Sequence, residues 1–461
     1  MDKRFPLEDQ IEMLDTMIRG RVIAPHHPDY DDLRAVALGQ FDRRPAAIIR
    51  VANVADIATA LNFAQASDLP LAIRSGGHST AGFSCVDGAI VIDTRELNAI
   101  EIDTVTRTVW AGAGCTAGDV TRAVEQHGLI VGFGDSGTVG IAGLTLGGGI
   151  GYLVRKHGLT IDSLLAVEIV TAAGDIIVAD ETNHAELFWA VRGGGGNFGV
   201  VTRFRYRLHA LPAFTGGPLV LPPTAEVIAA FAAAADAAPE ELSAIAMLMP
   251  LPPVPFIPAE AHGQMAFVAM MAFAGDAEAA QKALAPFRAI TTPLADLVAP
   301  GPYSNMFMLD PPPTERPMVS VRSRFTKSFG LGEAGALLAA AESCDAPMVV
   351  AQIRVLGGAH TRVPADATAF AHRHQRFMVS VMSIYGGGPD VIASQEAWAA
   401  DSIEAIAPGA GSAYVNFLGA QEGDDGFAAA YPAATLDRLR RVKRRYDPEN
   451  LFRLNENIRP S

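Results

Sequence analysis

Two dense glycine runs constrain this chain more than any other feature of its sequence. One is Gly140-Ile141-Ala142-Gly143-Leu144-Thr145-Leu146-Gly147-Gly148-Gly149-Ile150-Gly151; the other is Arg192-Gly193-Gly194-Gly195-Gly196-Asn197-Phe198-Gly199. A shorter one, Ser75-Gly76-Gly77, runs directly into His78. Such runs let a backbone approach a ligand closely and point N–H groups at an anion such as a pyrophosphate. Tight turns would explain any one of them, but the set together favours a ligand. The usual phosphate motifs are absent. There is no G-x-x-x-x-G-K-[ST], and no clean G-x-G-x-x-G follows a first strand with an acidic residue about twenty residues on. The residues therefore imply loops that cradle a dinucleotide without naming it.

The chain has 461 residues, more than one core usually organises, so two or more domains are expected. Residues 1–44 read as an arm with one helix. From Pro45, short apolar strands alternate with helices: a strand over Ala46–Val51, a helix over Val54–Ser67, a strand over Leu71–Arg74 and another over Ala89–Asp93. Thr108–Ala111 is a strand, Thr116–His127 a helix, and Val167–Val170 with Ile176–Val178 a hairpin around Ala173-Gly174-Asp175. Val200–Leu208 alternates as a strand. Leu211-Pro212 marks a boundary. Beyond it, Ala-rich helices (Ala225–Ala238, Ala277–Ala289, Gly332–Ala341) mix with Met-bearing strands (Ala244–Met249, Met265–Ala272, Val349–Val355). That order predicts an α+β domain on an antiparallel sheet. Residues 436–446 form a basic helix stopped by Asp447-Pro448-Glu449-Asn450.

Composition narrows the function class. Hydrophobic residues are 49% and charged residues 19%, as in a globular protein. A net charge of -14 argues against a nucleic-acid or anionic-membrane partner. No stretch is long and apolar enough to span a bilayer, and the start lacks the apolar run of a signal peptide, so a cytoplasmic protein is expected. Cys85, Cys115 and Cys344 form neither a disulfide framework nor a zinc pair, and no metal site is expected.

One set of motifs carries a resemblance. Arg74-Ser75-Gly76-Gly77-His78-Ser79, Val91-Ile92-Asp93, Gly112-Ala113-Gly114 and Leu146–Gly151 come first. Arg155-Lys156-His157-Gly158-Leu159, Glu186-Leu187-Phe188-Trp189-Ala190 and the Arg192–Gly199 run follow. Tyr414-Val415-Asn416-Phe417 and Tyr446-Asp447-Pro448-Glu449-Asn450-Leu451-Phe452 close the series. Taken in order, these resemble the berberine bridge enzyme-like FAD-linked oxidases of the vanillyl-alcohol oxidase superfamily. The resemblance implies a PCMH-type FAD-binding domain of two α+β subdomains over residues 1–210. It also implies a substrate domain over 211–405, with an antiparallel sheet flanked by helices, and a return to the FAD domain over 406–461.

The resemblance also assigns roles. His78 stands where the family joins its flavin covalently, at the 8α-methyl of the isoalloxazine. Ser136 replaces the cysteine of a second link, so the chain resembles the singly linked branch, like the hydroxynicotine oxidases. The cofactor would lie against Arg74, Ser75, Gly76, Gly77 and Ser79, then Ser136, Gly137, Val139, Gly140 and Gly143. Gly147, Gly148, Gly149, Gly151, Tyr152, Gly199, Val200, Tyr414 and Asn416 complete that set. Valine at 139 favours an oxidase over a dehydrogenase. Many relatives carry Y-x-N-Y, whose second tyrosine is the base, and here Phe417 has no hydroxyl to take a proton. Tyr414, Asn416, Tyr152 and Gln352 are the catalytic candidates, with His157 and Arg354 as further ones.

The expected reaction takes a hydride from an activated C–H of a small organic substrate, an alcohol, sugar hemiacetal, amine or benzylic carbon. Oxygen is the expected acceptor, giving hydrogen peroxide. The methionines Met247, Met249, Met265, Met270, Met271, Met306 and Met308 would suit an apolar substrate, or simply fill a core. The alternatives are a dehydrogenase with another acceptor, and a flavin-bound protein that rearranges its substrate or does not turn over. A protease-like Gly134-Asp135-Ser136-Gly137, preceded by His78 and Asp93, is a decoy, because the spacing is too short for two β-barrels.

Overall fold

The computed structural model describes residues 5–253, 259–307 and 316–461. Among them, the strands gather into a four-, a five- and an eight-stranded sheet, with a two-stranded pair besides. The first sheet runs Arg21–Ile23, Ala47–Arg50, Ile90–Asp93, Leu71–Arg74. Its last three strands are parallel, and Ile90–Asp93 is buried at every position. Parallel strands read as unbroken apolar runs for that reason. The crossover is the helix Val54–Ser67. Asn53 starts it by accepting the Asp56 N–H, and Asp68 ends it with φ 57°. Asp56 is buried and also accepts N–H groups from Arg19, Gly20 and Ala52, each at 2.9 Å, which pins the N-terminal arm. That arm holds more than the one helix expected. It has Leu7–Asp15, the edge strand Arg21–Ile23 and the short helix Tyr30–Arg34. Three strand residues are too few to show a period.

The second sheet is antiparallel, in the order Ile100–Asp103, Thr108–Gly112, Val200–Arg207, Leu164–Val170, Ile176–Asp180. The expected hairpin turns at Gly174, φ 85°. Helix Ala117–Glu125 opens on a reciprocal capping box between Thr116 and Asp119.

The third sheet is antiparallel and runs Ala295–Asp296, Thr215–Leu221, Met265–Phe273, Leu242–Pro250, Met348–Val355, Phe377–Tyr385, Met318–Thr326, with Ala299–Pro300 beside Thr215–Leu221. Alternation along its strands divides its chemistry. Ala246, Leu248, Phe267, Ala269, Ala351 and Ile353 share one core with residues of the helices Ala225–Ala237, Leu331–Ser343 and Pro389–Ile406. Gln352 and Arg354 alternate with Ala351 and Ile353, so they lie on the opposite face. Five of its strands were not expected, the two-residue Ala295–Asp296 and Ala299–Pro300 and three longer ones. Thr215–Leu221 carries Gly216, Gly217 and Pro218, which are poor strand formers. The other two are Met318–Thr326 and Phe377–Tyr385, which pair with each other along their whole length. The methionines serve the core: Met270, Met271 and Met306 are buried, and Met247, Met249 and Met265 pack partly buried against core clusters. Met308 lies outside the described residues.

The C-terminal helix Ala433–Tyr446 closes the structure on the second glycine run. Its Lys443 is fully buried and donates to the Asn197 carbonyl at 2.7 Å, to Asp447 Oδ2 at 2.7 Å and to the Phe452 carbonyl at 2.9 Å. Asn197 in turn donates to the Gly194 and Glu456 carbonyls and accepts the Ile458 N–H. Lys443→Met would strand the Asp447 carboxylate in the interior. Breaking one half of a buried pair costs about 3–5 kcal/mol. The urea midpoint should fall accordingly; an unchanged midpoint would show that this pair does not hold the tail.

Candidate active site

The strand Leu71–Arg74 delivers the His78 loop to the start of the first glycine run. A Cβ built on Gly76 would lie 2.3 Å from the Gly140 nitrogen, and one on Gly140 would lie 2.4 Å from the Gly76 nitrogen. Only two glycines allow this backbone contact. Gly77 takes φ 76°, Ser75 Oγ donates to the Ala113 carbonyl, and Ser79 Oγ accepts the Phe83 N–H. Arg74 is buried, and its guanidinium binds the Leu33 and Ala35 carbonyls, tying the arm beneath the loop. Burial lowers the pKa of His78, and a hydrogen bond with the Thr138 backbone opposes that shift only in part. The imidazole is thus neutral near pH 7 and keeps a nitrogen lone pair, as a nucleophile must.

Beside it, Ser136 Oγ bonds Thr138 Oγ1 at 2.9 Å, Gly137 is buried, and the carbonyl of half-buried Val139 accepts the Ala117 N–H. Cys115 is a buried thiol on the Asn98 carbonyl, and burial pushes its pKa up to about 12. Gly140 opens the helix Ile141–Leu146, and Gly143 faces open space.

The far end of this run meets the C-terminal segment. A Cβ on Gly147 would lie 2.0 Å from Asn416 Oδ1. Gly148 and Gly149 take φ 131° and 82°, and Gly151 presses on the Phe133 carbonyl. The Gly149 N–H donates to Tyr414 Oη at 2.9 Å; Asn416 Nδ2 donates to the same oxygen at 2.9 Å and to the Leu144 carbonyl at 3.0 Å. Burial raises the Tyr414 pKa despite these donors. Its phenol stays protonated at neutral pH. Tyr152 is buried in the core cluster that includes Phe133 and Leu153. His157 stacks on His209 at 3.9 Å, and burial lowers its pKa to about 3. Gly199 takes φ 154° against the Val170 carbonyl, and Val200 pairs with Val170. The protease-like trio does not assemble in the structure, since Asp93 pairs with Arg95 and Ser136 bonds Thr138.

Across from this run stand Gln352 and Arg354. Arg354 is 4% exposed. Its Nε donates to Gln352 Oε1 at 2.8 Å, one terminal nitrogen to the Ile150 carbonyl at 3.1 Å, and the other to Asp135 Oδ2 at 2.6 Å. The guanidinium carbon sits 5.0 Å from the Phe417 ring centroid. The Phe417 and Tyr414 rings are 5.4 Å apart. Asp135 was not among the expected site residues. Its only signal in the sequence is its place before Ser136.

A second opening lies at the other glycine run. Gly196 faces open space, and Asn455 Nδ2 donates to its carbonyl at 3.3 Å. The Oδ1 atoms of Asn455 and Asn457 are buried with no hydrogen-bond partner among the described residues. Glu456 is pushed up to about 7 by burial and by the charge of Glu422.

Comparison with known proteins gives this geometry its context. A family model described as an FAD binding domain matches residues 45–180, and one described as berberine and berberine like matches 413–459. An uncharacterised FAD-linked oxidoreductase of Bacillus subtilis, YvdP, is 30% identical over 97% of this chain and 99% of its own. The chain belongs to the berberine bridge enzyme-like FAD-linked oxidoreductases. The (R)-6-hydroxynicotine oxidase of Paenarthrobacter nicotinovorans is 29% identical over 96% of this chain and 97% of its own. A crystal structure of 6-hydroxy-D-nicotine oxidase from Arthrobacter nicotinovorans superposes with a TM-score of 0.85 at 26% identity, covering 96% of this chain and 98% of that one. Among the described residues, no helix is long and apolar enough to cross a membrane.

The residues present fit an FAD. Side-chain-free loops open at Gly143 and Gly196, amide oxygens without a partner among the described residues stand at Asn455 and Asn457, and a neutral histidine lies two residues past the contact with the start of the first glycine run. Gly76→Ala would force the two loops apart by backbone collision. We expect it to fold with sharply reduced flavin content, read as the ratio of visible to ultraviolet absorbance. Full flavin content would contradict the contact.

Glu456 gives a pH signature. Its carboxyl rises from 4.5 to about 7 on folding, so the folded state holds the proton more tightly. Its contribution is therefore fully present below pH 4.5 and is lost as pH rises through about 7. Between these values, the melting temperature of Glu456→Gln should fall less with rising pH than that of the native protein. Parallel curves would refute the assignment.

Proposed function

We propose that this protein is an oxidase that carries FAD covalently on His78 and passes electrons from a small organic substrate to oxygen. The observation that carries the reading is the junction of three segments. The His78 loop rests on Gly140, and the same run is gripped further on by Tyr414 at Gly149 and by Asn416 at Leu144.

In this reading, His78 bonds the 8α-methyl, and Ser136 leaves the link single. Arg74 anchors the loop from behind, while Ser75, Gly76, Gly77 and Ser79 shape it. Ser136, Gly137, Val139, Gly140 and Gly143 would hold the flavin beside that loop. Gly147, Gly148, Gly149, Gly151 and Tyr152, with Tyr414 and Asn416, form the wall beyond. Gly199 and Val200 set the second run. We place the FAD-binding unit over residues 1–210 with a return over 406–461, and the substrate unit over 211–405. The large sheet then presents Gln352 and Arg354 to the substrate. Tyr414 and Asn416 act as positioning residues, through hydrogen bonds that fix the glycine backbone. FAD, when bound, supplies the hydride acceptor. An alcohol, amine or benzylic carbon suits the Phe417 side of the site, because an aromatic face prefers an apolar or cationic group to a bare polar one.

The test is a substrate panel of benzylic alcohols, cyclic amines and oligosaccharides with peroxide detection. Peroxide formed in proportion to substrate consumed supports an oxidase. Flavin reduced by substrate but not reoxidised in air would make it a dehydrogenase, and turnover of oligosaccharides alone would sink the preference for apolar substrates.

A further inference from the structure

The site holds polar groups that cannot accept a proton, and one that can. Phe417 has no hydroxyl. Gln352 and Asn416 carry amides, which are not bases at neutral pH. Tyr414 already accepts two hydrogen bonds at its oxygen and is held protonated by burial. His372, near Tyr414 in the aromatic cluster, has its Nε2 on the Ala430 carbonyl at 3.1 Å, behind Phe370. Asp135 differs from all of these. Its carboxylate is 30% exposed, while the Arg354 that pairs with it at 2.6 Å is 4% exposed. The guanidinium reaches from that carboxylate to the Phe417 ring. Among the described residues, the charged and titratable groups facing Asp135 are Arg354, from the strand Met348–Val355, and Tyr303. The Tyr303 hydroxyl is buried, has no hydrogen-bond partner among the described residues and feels the Asp135 charge.

We propose that Asp135 is the proton acceptor of this site and that Arg354 orients it. The proposal rests on the oxidoreductase reading above. The substrate O–H or N–H bond breaks and its proton moves to the Asp135 carboxylate. The hydride on the adjacent carbon leaves, with its electron pair, to the bound flavin, and oxygen then takes up the electrons and protons as peroxide. Arg354 holds the carboxylate against the Phe417 side of the site.

Asp135→Asn, Asp135→Glu and Arg354→Gln holoproteins decide the matter. Intact mass shows first whether each keeps the flavin of the native protein. The visible spectrum is then titrated with acid in the absence of substrate, since an ionising carboxylate beside a flavin shifts its absorbance. Finally, kcat/KM for the benzylic alcohol and cyclic amine of the panel is followed against pH. We expect Asp135→Asn to keep its flavin and lose its acid-dependent spectral shift. It should drop about 100-fold or more in kcat/KM, the range of general-base catalysis. Asp135→Glu should recover part of the rate. Arg354→Gln, which keeps the carboxylate but removes the group that orients it, should keep its flavin and lose kcat/KM about as far as Asp135→Asn. It serves if Asp135→Asn does not fold, and a native kcat/KM in Arg354→Gln would then overturn the proposal. An Asp135→Asn protein with the native rate, acid limb and spectral titration would also overturn it. A native protein without flavin would instead overturn the oxidoreductase reading, and Asp135 would fall with it.

Discussion

The contact between the Gly76 and Gly140 backbones organises the rest of the site. Two chain segments normally meet through side chains about 4 Å or more apart. Here a Cβ on either residue would fall within 2.4 Å of the other's nitrogen. His78 is two residues past one side of this contact, and Ser136 and Val139 lie just before the other. Wherever one loop goes, the other must follow. The parallel strands Ala47–Arg50, Ile90–Asp93 and Leu71–Arg74 fix one side, and the capped helix Ala117–Glu125, bonded to Val139 and Gly137, fixes the other. Buried Arg74 then ties the N-terminal arm beneath the loop.

The rest of the chain closes on this junction from two directions. The C-terminal segment grips both glycine runs, the first through Tyr414 and Asn416 and the second through Lys443 and Ile458, which both bond Asn197. The large sheet spends one face on its helices and turns Gln352 and Arg354 toward Ile150 and Asp135. Positive charge buried at Arg354 is tolerable because each of its three nitrogens donates a hydrogen bond, one of them to the Asp135 carboxylate. The neutrality of His78 and the protonation of Tyr414 follow from the same burial.

Much of this was legible in the sequence, where local chemistry fixes local structure. Val54–Ser67 was bounded to the residue because its apolar spacing is long and its ends carry Asn53 and Asp68. Thr116, Asp175 and the Ala-rich helices were readable for similar reasons. The glycine runs announced a ligand, and the motif set gave the family. What the sequence withheld depends on pairing at a distance. Thr215–Leu221 is a strand despite two glycines and a proline, because Met265–Phe273 pairs with it along its whole length. Arg21–Ile23 is a strand only beside Ala47–Arg50. Asp135 meets Gln352 and Phe417 only through Arg354, far along the chain, and no local pattern carries that contact. His157 read as a site residue from its motif, yet it stacks on His209.

The central claim is a covalent flavin on His78, and intact mass under denaturing acid tests it most directly. The account predicts that the native protein gains the mass of one FAD and that His78→Ala, precipitated in the same way, gains none and releases its flavin to the supernatant. An adduct that survives in His78→Ala would place the bond on another residue. A native protein without an adduct would contradict the account.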